Sequence, residues 1–130
     1  MITDYIKEAI ELEEDRSDKS AIKSSLRNLI LHLLKSKYQK EYKNKSSWAG
    51  SIEVSYENIV DRFIAIGKGS LYKRFYMKQL SLDEIYENAR IKASKETGLS
   101  LDSFPEKCEW TKEQLVDPKF IYEFINEFCK

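Results

Sequence analysis

At 130 residues, with 42% hydrophobic and 34% charged side chains, the chain is long enough to bury a core without staples, and its formal net charge of zero gives no bulk attraction to a polyanion. Four Gly and two Pro are a poor supply of turns for a sandwich or barrel, and one His with two Cys is too few for a disulfide framework or a zinc site. The acidic, amphipathic start MITDYIKEAIELEEDR does not read as a signal peptide, and the longest apolar run, at residues 29–34, is broken by His32 and too short to span a bilayer.

In chain order, the first predicted helix covers about residues 3–15, where Ile2, Tyr5, Ile6, Ala9 and Ile10 recur at helical spacing. Arg16-Ser17-Asp18 reads as a break with Ser17 as an N-cap. A second helix then carries Ile22, Leu26, Leu29, Ile30, Leu33 and Leu34; over residues 29–34 it is apolar nearly all round, which places it at the centre of a bundle. Its polar continuation KSKYQKEYKNK either extends that helix or frays into a loop.

Ser46 or Ser47 opens a third helix with the stripe Trp48, Ile52, Tyr56, Ile59, Val60 and Phe63, and Gly67-Lys68-Gly69 stops it. A short helix follows through Leu71, Phe75 and Met77. Ser81-Leu82-Asp83-Glu84 is a capping box for a helix that buries Leu82, Ile85, Tyr86, Ala89 and Ala93 and ends at Gly98. The loop LSLDSFPEKCEW comes next, and the stretch FPEKCEWTKEQL offers Phe104, Trp110 and Leu115 as anchors. Thr111-Lys112-Glu113-Gln114 is a second capping box, and Asp117-Pro118 starts a last helix with Ile121, Phe124, Ile125 and Phe128 on one face.

Charge is segregated along this order. Residues 1–18 hold seven acids against Lys7 and Arg16, residues 101–130 hold seven acids against four lysines, and residues 19–100 hold 16 basic groups against 8 acidic ones.

Three segments, HLLKSKYQKEYKNKSSW (32–48), ARIKASKETGL (89–99) and FPEKCEWTKEQLVDPKF (104–120), resemble the domain of unknown function 29 family. Its pattern runs His-Leu-Leu-Lys, Tyr-Gln and a basic stretch ending Ser-Trp, then Ala-Arg, Glu-Thr-Gly-Leu, Phe-Pro, Cys-Pro-Trp-Thr and Leu-Asp-Pro-x-Phe, in the same order over roughly residues 8–120. Ser36 stands where that family usually has Trp, Lys40 where it has Pro, and Glu109 where Cys-Pro-Trp has its Pro. The resemblance implies a small bacterial, helical, cytoplasmic protein, and it brings no activity and no catalytic residues.

Two motifs invite chemistry. Lys35, Lys37, Lys40, Lys43 and Lys45 interleave with Tyr38 and Tyr42, and Lys73-Arg74-Phe75-Tyr76 forms a second cluster; lysines neutralise phosphates and tyrosines stack on bases, so these residues are nucleic-acid-binding candidates. The plainer reading is a solvated helix end with lysines at the negative pole of its dipole. Arg27-Asn28-Leu29-Ile30-Leu31-His32 resembles the Arg-x4-His signature of HEPN ribonucleases, with His32 as acid or base and Arg27 on the phosphate. Five residues of helix, however, turn through about 140°, and a His on so apolar a helix belongs more naturally to the packing. Cys108 beside Lys107 offers a reactive thiol, against the plainer reading of a Cys packed under the Phe104-Pro105 loop.

The sequence therefore predicts an all-α fold. It is a single domain over residues 1–130, a compact bundle of five or six helices with an ordered loop at about 98–111 strapped across it. Leu29, Leu33, Ile52, Ile59, Phe63, Ile85, Ala89 and Phe124 are expected in the core. The leading functional expectation is a non-catalytic cytoplasmic interaction module, free of metal and cofactor, that binds a protein partner or itself and stays off the membrane. Nucleic-acid binding in an accessory or antitoxin-like role is the alternative, and a ribonuclease using Arg27 and His32 is third.

Overall fold

The computed structural model describes residues 2–39, 45–66 and 77–130, with side chains described at 19–39, 46–64 and 77–130. Helix α1 (Ile2–Tyr38) is followed by α2 (Lys45–Ile66), α3 (Leu82–Thr97), a 3-10 turn at Leu101–Ser103, the short α4 (Lys112–Leu115) and α5 (Pro118–Phe128). No strand occurs among the described residues, as the sparse Gly and Pro predicted. The expected stop at Gly67-Lys68-Gly69 lies outside the described residues, and so does the short helix through Leu71 and Phe75 apart from Met77, which is buried.

The first two predicted helices are one. Helix α1 runs unbroken for 37 residues, straight through Arg16-Ser17-Asp18, and so is about 55 Å long. Ser and Asp favour caps, but in a helix interior each costs less than about 1 kcal/mol relative to Ala, and the segment contains neither Gly nor Pro to enforce a stop. A direct test is Asp18→Pro. In a continuous helix this substitution costs about 3 kcal/mol, whereas at the first position of a helix capped by Ser17 it would be tolerated. Far-ultraviolet circular dichroism should show a loss of helix; unchanged ellipticity would restore the break.

The other helix ends follow their sequence signals closely. Ser81 accepts the Glu84 backbone N–H at 3.3 Å, and Gly98 closes α3 in the left-handed region at φ 75°, its own N–H reaching the Ser94 carbonyl. The Ser81 box is only half formed, since the Glu84 carboxylate turns outward to Lys23 at 2.9 Å. The Thr111–Gln114 box is complete, with Gln114 N donating to Thr111 Oγ1 at 3.1 Å and Thr111 N to Gln114 Oε1 at 2.9 Å. Asp117 Oδ1 caps α5 through the Lys119 N–H at 3.0 Å, ahead of Pro118.

One continuous core joins these elements, and α1 lies at its centre. Ile22, Leu26, Leu29, Ile30, Leu31, Leu33 and Leu34 are all buried, on several sides of the helix. Ile52, Ile59, Ile85, Ala89 and Phe124 meet them as expected, while Phe63 sits partly exposed at the core's edge. The short connection between Tyr38 and Lys45 makes α1 and α2 an antiparallel hairpin. Helix α3 runs the other way. Lys23 pairs with Glu84, and Lys35 with Glu96 at 3.4 Å, the same step of twelve residues on both helices. Helices α1 and α3 are therefore parallel and in register over about 18 Å. The loop after Gly98 is strapped back across the bundle by buried Phe104, Trp110 and Leu115, the three anchors its sequence predicted.

Candidate functional site

Arg27 and His32 share α1 but not a face, since five residues of helix separate them by about 140°. Each is half-buried, and each has one ring or guanidinium nitrogen, Arg27 Nε and His32 Nδ1, that is enclosed without a hydrogen-bond partner. His32 lies at the seam with α3. Burial lowers its pKa from the ordinary 6.5, Lys35 lowers it further, Glu96 opposes them and Lys92 adds to the lowering. The imidazole is thus neutral at pH 7, and the HEPN-like pair is not assembled within one chain.

This yields a pH expectation with a definite sign. A base whose folded pKa is depressed is protonated first in the unfolded chain, so the contribution of His32 is complete above about 6.5 and is lost as pH falls below it. Denaturant midpoints should decline on acidification from pH 7, and His32→Gln should flatten that decline before the carboxylates titrate. An equal slope in the variant would assign the decline to other groups.

The described members of the proposed nucleic-acid tract are turned onto carboxylates of the fold. Lys35 pairs with Glu96. Lys37 Nζ pairs with Glu109 Oε2, and the Tyr38 hydroxyl donates to Glu109 Oε1. The Tyr38 ring meets Phe104 edge to face at 5.7 Å, and Lys37 Nζ stands 5.8 Å over the Phe128 ring. Burial first, then the bond to Glu109, raises the Tyr38 pKa well above the phenol range, so the hydroxyl remains a donor. Lys45 begins α2, but its side chain, like Lys40, Lys43, Lys73 and Arg74 entirely, lies outside the described residues.

Strap and α3 are tied by Tyr86, which the sequence predicted only as a buried side chain, and by Arg90, to which it gave no role. Tyr86 donates to the Pro105 carbonyl at 2.6 Å, and buried Arg90 reaches the Phe104 carbonyl at 3.4 Å and Glu87 at 3.8 Å. Burial, with Cys108 next in weight, pushes the Tyr86 hydroxyl up to about 12. Position 90 follows Tyr86 by four residues on the buried stripe, and that was the available signal for an enclosed Arg. Cys108 under the strap is not activated. Burial raises its pKa, the Trp110 backbone hydrogen bond lowers it, and Glu109 and Asp83 raise it, so the thiol stays protonated at neutral pH. Of the two readings the sequence offered, this favours the packed Cys over a reactive thiol activated by Lys107.

The outer face of α2 was missed altogether. Gly50, Val54, Glu57, Asp61 and Ile64 follow one another at alternating four- and three-residue steps, and all are exposed. Val54 and Ile64 are large apolar side chains left 57% and 69% exposed. A Cβ built on Gly50 would meet nothing within 4 Å, so this end of the stripe is open as well. Among the described residues no three His, Cys, Asp or Glu side chains gather in a way that could hold a metal ion, and no helix is long and apolar enough to cross a membrane.

Comparison with known proteins returns no curated relative and no solved structure. The family described as "Domain of unknown function DUF29" matches over residues 4–121, and with that span covered the chain belongs to this family.

Proposed function

We propose that residues 1–130 form one helical domain that acts as a non-catalytic protein-interaction module, docking a protein partner on the outer face of α2. The observation that carries this reading is the pair of exposed apolar side chains, Val54 and Ile64, on one helical stripe. Scattered single hydrophobes are ordinary on a surface, but two on one seam of the same helix form the kind of anchor pair that a partner helix covers. The unbridged Cys108 and Cys129 fit a reducing compartment such as the cytoplasm.

The test uses Val54→Ser with Ile64→Ser. Because both side chains stand largely in water, the double variant should unfold within about 0.5 kcal/mol of the parent for each change. It should lose any partner that the parent retains as bait. Light scattering after size-exclusion chromatography, at low and high salt, reports on self-association. Retention of the same partner by the double variant would overturn the site.

The alternative is nucleic-acid binding through the basic middle. It is disfavoured by the engagement of Lys35, Lys37 and Tyr38 with Glu96 and Glu109. Salt-dependent binding of a labelled single-stranded RNA that Lys40→Glu and Lys43→Glu abolished would put the basic middle in the place of α2.

A further inference from the structure

We infer that the partner seated on α2 is a cationic amphipathic helix from another protein, whose seam carries two basic residues between two apolar ones. This rests on the reading of α2 as the docking face and adds the chemistry of what docks there.

The stripe has a specific composition. Steps of four and three residues form the seam that a second helix meets when it packs lengthwise. On α2 that seam reads Val54, Glu57, Asp61, Ile64, with apolar ends and two carboxylates between them. Glu53 stands beside them, also exposed. None of the three acids has an ion pair among the described residues, whereas Glu84, Glu96 and Glu109 each hold a lysine. A helix laid on this seam would strip water from Glu57 and Asp61 at its centre. Burying a carboxylate without a partner is strongly unfavourable, so the incoming helix must supply the counter-charges itself.

The same arithmetic removes a second copy as the occupant through this face. Two α2 seams packed on each other would oppose Glu57 and Asp61 with the same acids, and like charges placed together across an interface cost several kcal/mol. The required pattern is apolar, basic, basic, apolar at steps of three, four and three residues, and it reads the same in either direction. The chain's own nearest matches each lack one apolar end. Ser81 closes Leu71-Arg74-Lys78, Ser20 opens Lys23-Arg27-Ile30, and Arg16 opens Lys19-Lys23-Leu26.

The experiment uses the full chain and three synthetic helical peptides with leucine at the two ends of the seam. Their two central seam positions carry lysine, glutamine or glutamate, and the outer faces are identical and net neutral. Fluorescence anisotropy at low salt should rank lysine over glutamine over glutamate, with at least about tenfold between lysine and glutamine, as expected for desolvated charge pairs. Glu57→Lys with Asp61→Lys should invert the ranking. Glu123→Lys with Glu127→Lys, on the exposed side of α5, changes the net charge equally and should leave the ranking as it was. If lysine and glutamine peptides bind alike, and both are lost with Val54→Ser and Ile64→Ser, the docking face stands and the cationic partner is overturned. If no peptide binds, or if the α5 variant inverts the ranking as well, both readings fall.

Discussion

Leu33→Ala is expected to destabilise the protein by about 2–5 kcal/mol, a large fraction of what holds a domain of this size together. Leu33 has no exposed surface and lies on α1, which packs against both α2 and α3. Removing its isobutyl group loses the transfer energy of the buried carbons and leaves a cavity. The neighbours that could fill it, such as Leu29, Ile30 and Leu34, are themselves fixed in the same core. A helix enclosed on several sides collapses around a void less readily than one packed on a single face, which puts this site toward the upper part of the range. Urea denaturation with matched slopes would measure it. Ile64→Ala is the comparison, since Ile64 is largely exposed and should change little. A loss below about 1 kcal/mol at Leu33 would contradict the central position of α1.

Phe104→Ala should cost about 3–5 kcal/mol. The Phe104 ring is buried and meets Tyr38 edge to face, so truncation opens the joint between the strap and the end of α1. The Phe104 carbonyl, which accepts from Arg90, survives the change, and so does the Tyr86 bond to Pro105. The substitution therefore isolates the apolar anchor from the polar ties. Tyr86→Phe removes one of those ties and should cost about 0.5–1.5 kcal/mol, with somewhat more if the Pro105 carbonyl is left dry. Hydrogen exchange across residues 98–111 should accelerate strongly in Phe104→Ala and modestly in Tyr86→Phe. The reverse order would mean that hydrogen bonds rather than the ring hold the strap.

Much of this architecture was legible because its signals are local. A capping residue meets an amide two or three positions away, so Ser81, Thr111, Asp117 and the glycine stop at Gly98 could be read directly. The run at residues 29–34 announced its own burial because no polar face interrupts it. The failures were of two kinds. At Arg16-Ser17-Asp18 a capping preference was given the strength of a breaker, although nothing in the backbone forces a stop. Elsewhere the decisive partner was remote. Glu84 could be seen as half of a capping box, but not as the partner of Lys23, 61 residues away. Lys37 and Tyr38 read as a nucleic-acid surface because Glu109, 72 and 71 residues further on, is invisible to any local pattern. On α2 the longer apolar stripe, with Trp48, Ile52 and Ile59, is the one that faces inward. The second, outer stripe came into view only when burial separated the two.

The parallel register of α1 and α3 has a kinetic side. An antiparallel pair such as α1 and α2 closes through a short connection and can form early, whereas Lys23 and Glu84 must find each other across a separation of 61 positions. The loop-closure entropy of that contact is lost before the contact returns anything, which places the docking of α3 late in assembly. Substitutions in the α1–α2 hairpin should then slow refolding, while those confined to the α1–α3 seam should chiefly speed unfolding.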